Sequence, residues 1–80
     1  MFIVYALHSV QFDKIYIGFT SNLEERLISH NQLSKKGYTV KYRPWELFYT
    51  ENCETKAEAM KRENQLKSAR GREFLRSRLK

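Results

Sequence analysis

Tyr5 and Tyr16 each stand at the centre of a short apolar run, Ile3-Val4-Tyr5-Ala6-Leu7 and Ile15-Tyr16-Ile17-Gly18-Phe19. Folded back so that Tyr5 faces Tyr16, the runs put His8 opposite Asp13. Ser9 to Phe12 is then a four-residue loop, a usual hairpin length. Directly opposed residues share a face of a sheet, so two phenols stand side by side on one surface. Gly18 lies where a bulky side chain would crowd that surface. Further along, Arg26 precedes His30 by one helical turn, beside a Leu23/Leu27 stripe. Later still, Ala59, Met60, Glu63 and Leu66 share one helix face by i, i+3, i+4 spacing. A carboxylate in such a stripe is costly unless it is paired or holds a metal. Two phenols, a guanidinium, an imidazole and a carboxylate, on elements that pack together, suit a site more than a core.

Each residue also has a plainer account. Tyr5 and Tyr16 fit an ordinary cross-strand aromatic pair. Glu63 fits a surface pair with Lys67 at i+4, worth a few tenths of a kcal/mol. Arg26 fits an ion pair with an acidic neighbour, and His30 fits the end of a helix. Residue by residue, both accounts stay open.

The elements that must position these groups follow from pattern. Strands are expected over about residues 2–8 and 14–20. A cap among Thr20 to Asn22, with Glu24 and Glu25 in the first turn, starts a helix that runs to about Asn31. Residues 32–43 read as a polar, basic and aromatic loop. Trp45 to Thr50, after Pro44, alternates as a third strand. Thr55 and Glu58 match a capping box for a helix to about Ala69. Gly71 is expected to break it, and residues 72–79 form a last helix with Phe74, Leu75 and Leu79 inward. The order β-β-α-β-α-α predicts an α+β domain: a three-stranded antiparallel sheet flanked by helices.

Eighty residues make one domain with a small core. Cys53 is the single cysteine, which excludes an internal disulfide and a four-ligand zinc site and suggests a reducing compartment. The apolar start lacks the basic flank and cleavage site of a signal peptide, and no run approaches a membrane span. A cytoplasmic protein without membrane attachment is expected. The net charge of +6 is uneven: residues 1–55 hold six basic and six acidic groups, so the whole excess lies in residues 56–80. Such a segment suits a polyanion, nucleic acid first, although a solvated helix face has the same composition.

Tyr16-Ile17-Gly18, with Ile3-Val4-Tyr5 before it, resembles the two halves of the GIY-YIG nuclease motif, Ile3 standing for the first Gly. The likeness extends through Thr20 to Asn31, Arg43-Pro44-Trp45-Glu46-Leu47 and Glu58 to Glu63, essentially the whole chain. It is closest to small single-domain bacterial members. The resemblance implies a metal-dependent endonuclease acting on DNA. Tyr5 and Tyr16 are its motif tyrosines, Arg26 its phosphate-binding arginine, His30 the helical companion, and Glu63 the ligand of one Mg²⁺ or Mn²⁺ ion. Lys35, Lys36, Lys41, Arg43, Arg62, Lys67, Arg70 and Arg72 are the candidate contacts to the nucleic-acid backbone, with Tyr38 or Tyr42 either stacking on a base or packing the loop. A protein partner for targeting is compatible with so small a domain. Catalytic members often supply an Asn after the metal Glu, and no Asn follows Asn64, so the alternative is an inactive nucleic-acid-binding module of the same fold. A third reading is a protein-interaction adaptor with a basic tail.

Overall fold

The computed structural model describes residues 1–28 and 41–79. Strands β1 (Phe2–Ser9), β2 (Lys14–Thr20) and β3 (Glu46–Cys53) form one antiparallel sheet in the order β2-β1-β3. Helix α1 (Leu23–Ile28) follows β2, and helices α2 (Lys56–Lys67) and α3 (Ala69–Arg78) follow β3. The α+β class and the order β-β-α-β-α-α are those expected.

The central strand has two buried faces, as its apolar run requires. Val4 and Ala6 join Ile17, Ala59, Leu66 and Leu75 in one core, so α2 and α3 cover that face. Tyr5 and Leu7 join Trp45 in a second core, with Tyr16, Leu23 and Leu27 packed against it, so α1 covers the other. Strand alternation thus commits both tyrosines to the α1 face.

The hairpin register differs from expectation by two residues. Tyr5 pairs with Gly18 and Tyr16 with Leu7, and the ladder continues to Ser9 and Lys14. A four-residue turn remains, but it is Val10 to Asp13. Gly18 gives the reason: a Cβ there would lie 2.8 Å from the Tyr5 hydroxyl, so the buried phenol fits only opposite a glycine. Asp13 closes the turn at φ 52°, a left-handed conformation that Asp tolerates better than most residues. Its carboxylate accepts from Arg76 Nη1 at 2.5 Å and lies 3.0 Å from His8 Nε2, which ties the turn to α3. A shift of two preserves side-chain parity, so Tyr5 and Tyr16 still share a face as diagonal neighbours.

Helix boundaries follow local chemistry. Asn22 caps α1, its side-chain oxygen accepting from the Glu25 N–H at 3.1 Å. Thr55 caps α2 by accepting from the Glu58 N–H at 3.2 Å, and Glu58 reaches back to the Glu54 N–H at 3.3 Å. β3 runs past Thr50 to Cys53 because Val4, Ile3 and Phe2 of β1 supply ladder partners. Its expected first residue, Trp45, lies before the strand and is buried. The helix break expected at Gly71 lies at Ser68. The Ser68 hydroxyl donates to the Gln65 carbonyl at 2.6 Å and accepts from the Gly71 N–H at 3.2 Å, so one residue ends α2 and caps α3. Gly71 is buried inside α3, where a Cβ would collide with the backbone of Gln65 and Leu66. It permits the close approach of the two helices. Leu75 is buried as expected, but Phe74 is 36% exposed.

Candidate active site

The α1 face of the hairpin holds Tyr5 and Tyr16, with Arg26 on α1 itself, whereas Glu63 is carried by α2. Tyr5 is 1% exposed, and its ring lies 6.3 Å from that of Tyr16 at an interplanar angle of 35°. Tyr16 meets Trp45 edge to face at 6.2 Å, so the indole backs the pair. Burial pushes the Tyr5 phenol well above the ordinary tyrosine range; Tyr16 adds to this, Arg26 opposes it and Glu63 raises it further. Three other candidates, from β2, α1 and α2, therefore bear electrostatically on the phenol that β1 carries. At neutral pH that phenol is protonated and offers a hydrogen-bond donor.

Arg26 is exposed, and it lines a polar cleft of about 290 Å³ with Thr20, Ser21, Asn22 and Glu25. Its guanidinium makes no ion pair among the described residues, because Glu25 accepts from the Asn22 side-chain amide at 3.3 Å instead. A planar, permanently charged fork open to a cleft suits a phosphate group.

Glu63 is largely buried and paired. Its side chain is only 18% exposed, yet Lys67 Nζ lies 3.4 Å from its carboxylate one turn along. No group of three or more His, Cys, Asp or Glu side chains that could hold a metal exists among the described residues. A single carboxylate still fits Mg²⁺, which commonly takes one or two carboxylates and keeps several waters. Lys67 is half exposed and can turn into solvent, which leaves Glu63 as the protein ligand.

His30, Lys35, Lys36 and Tyr38 lie outside the described residues. Lys41 and Arg70 are exposed. Arg72 is exposed as well, its Nε donating to the Lys67 carbonyl at 3.4 Å. Arg43 is half-buried beside Pro44, which follows a cis peptide bond. Arg62 is committed within the fold: its Nε donates to Glu51 at 2.8 Å and an Nη to Gln65 at 3.2 Å. Glu51 also accepts from the Tyr49 hydroxyl. Burial works against the Glu51 charge, but these hydrogen bonds outweigh it and hold the carboxyl below its ordinary value. Tyr42 packs on the body, edge to face with Phe12 at 5.4 Å and under Lys14 Nζ at 5.6 Å. Trp45 is the site residue that sequence reasoning missed. Its position just after Arg43-Pro44 and before an alternating run was the available signal.

A buried Tyr5 and a half-buried Tyr16 on a hairpin, an arginine on the following helix and a glutamate on a later one are the candidate site of a small α+β domain. The GIY-YIG catalytic domain family matches residues 1–76, and the chain belongs to that family. It is also similar to a UPF0213 protein of Staphylococcus saprophyticus, 41% identical over 54 residues that cover 68% of this chain and 66% of the relative. A UPF0213 protein of Bacillus pumilus is 43% identical over 54 residues, 68% of this chain and 55% of the relative. One of Natronomonas pharaonis is 38% identical over 56 residues, 70% of this chain and 66% of the relative. The matched segment thus spans about two thirds or less of these relatives. No solved structure matches. No helix among the described residues is long and apolar enough to cross a membrane.

Proposed function

We propose that the chain is a divalent-metal-dependent endonuclease that hydrolyses phosphodiester bonds in DNA in the cytoplasm, directed by DNA structure or weakly by sequence. The observation that supports it most is the packing of the buried Tyr5 ring beside Tyr16 at 6.3 Å, together with Arg26 open to a polar cleft at the start of α1. Glu63 would hold one Mg²⁺ or Mn²⁺, which when bound supplies polarisation of the phosphoryl group and charge for the leaving oxygen. Arg26 binds the non-bridging oxygens through its fork and offsets charge in the transition state. Tyr5 donates a hydrogen bond that orients the attacking water. Its burial makes it a poor base, so proton transfer falls to another group, with His30 the candidate. Tyr16, backed by Trp45, keeps the Tyr5 ring in place. Lys35, Lys36, Lys41, Arg43, Arg70 and Arg72 contact the backbone; Arg62 and Lys67 do so only on leaving Glu51 and Glu63.

The test is an assay on flapped, branched and single-stranded DNA with Mg²⁺ or Mn²⁺ and with chelator. Metal-dependent cutting is expected, lost in Glu63→Ala. A wild type inert on every substrate, or a Glu63→Ala variant that cuts equally well, overturns the reading. The ion pair of Glu63 with Lys67 favours one alternative, a module that binds nucleic acid without cleaving it. That alternative predicts salt-dependent binding and no metal-dependent product.

A further inference from the structure

The β1–β2 turn carries apolar side chains that the turn itself does not need. Val10 is 62% exposed there and Phe12 44% exposed. Tight turns draw on Gly, Asn, Asp and Ser for their backbone shapes, and here Asp13 supplies the left-handed residue. Among the described residues Phe12 makes one ring contact, edge to face with Tyr42 at 5.4 Å. Such a contact covers at most one face of the Phe12 ring. Phe74 on α3 is also exposed but more enclosed: Tyr49 meets it edge to face at 5.4 Å, and the Arg78 guanidinium lies over it at 5.1 Å.

Phe12 continues a row of aromatic residues that begins at the candidate site. Tyr5 and Tyr16 lie 6.3 Å apart, Tyr16 meets Trp45 at 6.2 Å, and Tyr42, which packs on the same core, meets Phe12. The row therefore lies on the α1 face and ends in solvent at the turn. Contacts from α3 and β1 hold that turn. The Asp13 carboxylate accepts from Arg76 Nη1 and lies against His8 Nε2, and Arg76 Nη2 donates to the Asp13 carbonyl at 3.3 Å. Phe12 is thus presented on a tethered backbone, which lowers the entropy lost when it docks. Lys14 Nζ lies 5.6 Å from the Tyr42 ring centre, so a cation stands beside the exposed ring, with no acidic partner among the described residues.

We propose that Phe12 stacks on a nucleobase exposed where a DNA duplex is interrupted, and that this contact sets a preference for flapped over continuous DNA. The choice of nucleic acid rests on the nuclease reading. Every base has a flat face, and aromatic side chains stack on it without regard to sequence. A continuous duplex keeps those faces inside its own stack, and a break in the stack exposes them without the cost of unstacking. Lys14 favours DNA over an apolar protein segment. Such a segment, laid on Phe12, would take the ammonium out of water unpaired, whereas a nucleotide brings its own phosphate. The chain from Phe12 to Tyr16 spans at most about 14 Å. The broken stack therefore lies within about four nucleotide steps of the paired phenols, at about 3.4 Å per step.

The experiment is fluorescence anisotropy over a salt series, with a labelled DNA duplex carrying a single-stranded flap and with the continuous duplex of the same sequence. The proteins are wild type, Phe12→Leu, Phe12→Tyr and Phe74→Leu. Leu keeps an apolar side chain against Tyr42 but offers no ring, whereas Tyr keeps the ring. Phe12→Leu is expected to weaken flap binding about tenfold and continuous-duplex binding by less than about twofold. Its slope of log K against log salt stays that of wild type, because stacking releases no counterion. Phe12→Tyr and Phe74→Leu stay within about twofold of wild type on both DNAs. Equal weakening on both DNAs, a Phe12→Tyr variant as weak as Phe12→Leu, the same loss in Phe74→Leu, or a wild type with no preference for the flap each overturn the proposal. A wild type that cuts flaps while Phe12→Leu keeps the preference removes the stacking contact and leaves the nuclease reading. A wild type whose flap preference depends on the Phe12 ring but that cuts nothing upholds the contact and removes the nuclease reading alone.

Discussion

At the scale of residues, the hairpin is organised by a contact between a phenol and a missing side chain. The Tyr5 hydroxyl occupies the space a Cβ on Gly18 would take. Because Tyr5 is buried, the ring cannot swing away into water. Gly18→Ala is therefore expected to destabilise the fold by about 1–3 kcal/mol, the usual cost of overpacking, and to lower any cleavage activity. Urea denaturation measures the first effect, and an unchanged midpoint would contradict the account of the register. The same burial gives a pH dependence. The folded chain holds the Tyr5 proton more tightly than the unfolded chain, whose phenol titrates near the ordinary 10.0. The stability linked to this group is whole below that pH and falls as pH rises above it. Denaturant midpoints between about pH 8 and 11 should drop at the alkaline end, and drop less in Tyr5→Phe. The shared face of Tyr5 and Tyr16 was legible in the sequence because strand parity survives a two-residue slip. The pairing itself was not, since two loops of equal length fit the hairpin and only the depth of the Tyr5 ring separates them. The Glu63 carboxylate was legible as out of place in its stripe, and its pairing with Lys67 is the plainer of the two accounts of it.

At the scale of elements, one serine and one glycine decide how the C-terminal helices meet. Ser68 closes α2 and caps α3, and Gly71 lets the first turn of α3 lie against the backbone of Gln65 and Leu66. Ser68→Ala removes the cap and should cost about 1 kcal/mol. Gly71→Ala inserts a Cβ into backbone, which cannot repack as a side chain can, so its cost should be the larger by thermal or chemical denaturation. The reverse order would assign the helix break to Gly71 after all. That break was misplaced in the sequence reading because glycine signals both a helix stop and a close approach, and local pattern does not separate the two. Ser68 carried a real signal, a capping residue ahead of a short helix. β3 outran its expected end for a related reason: Glu51 and Asn52 look unlike strand residues until β1 is present to pair with them.

At the scale of the molecule, the sheet separates two jobs. Its α1 face holds the phenols, Trp45 and Arg26, and its other face holds the core under α2 and α3, with the positive excess along the chain segment that builds them. Charge placement was legible as a sum and illegible as a surface. Arg62 and Arg76, which look free in the sequence, are bound to Glu51 and Asp13, whereas Arg70 and Arg72 stay exposed. DNA binding should therefore depend steeply on salt, and more on Arg72 than on Arg62. The central claim is that Tyr5, Tyr16, Arg26 and Glu63 act together to cleave a phosphodiester. Its most direct measurement is the single-turnover cleavage rate of a DNA flap at saturating protein with Mg²⁺, for wild type, Arg26→Ala and Glu63→Ala, with affinity for the same DNA measured alongside. The account predicts rates lowered about 100-fold or more in both variants, with affinity changed only a few fold. Equal rates in all three proteins, or no cleavage by wild type that binds the DNA, would contradict it.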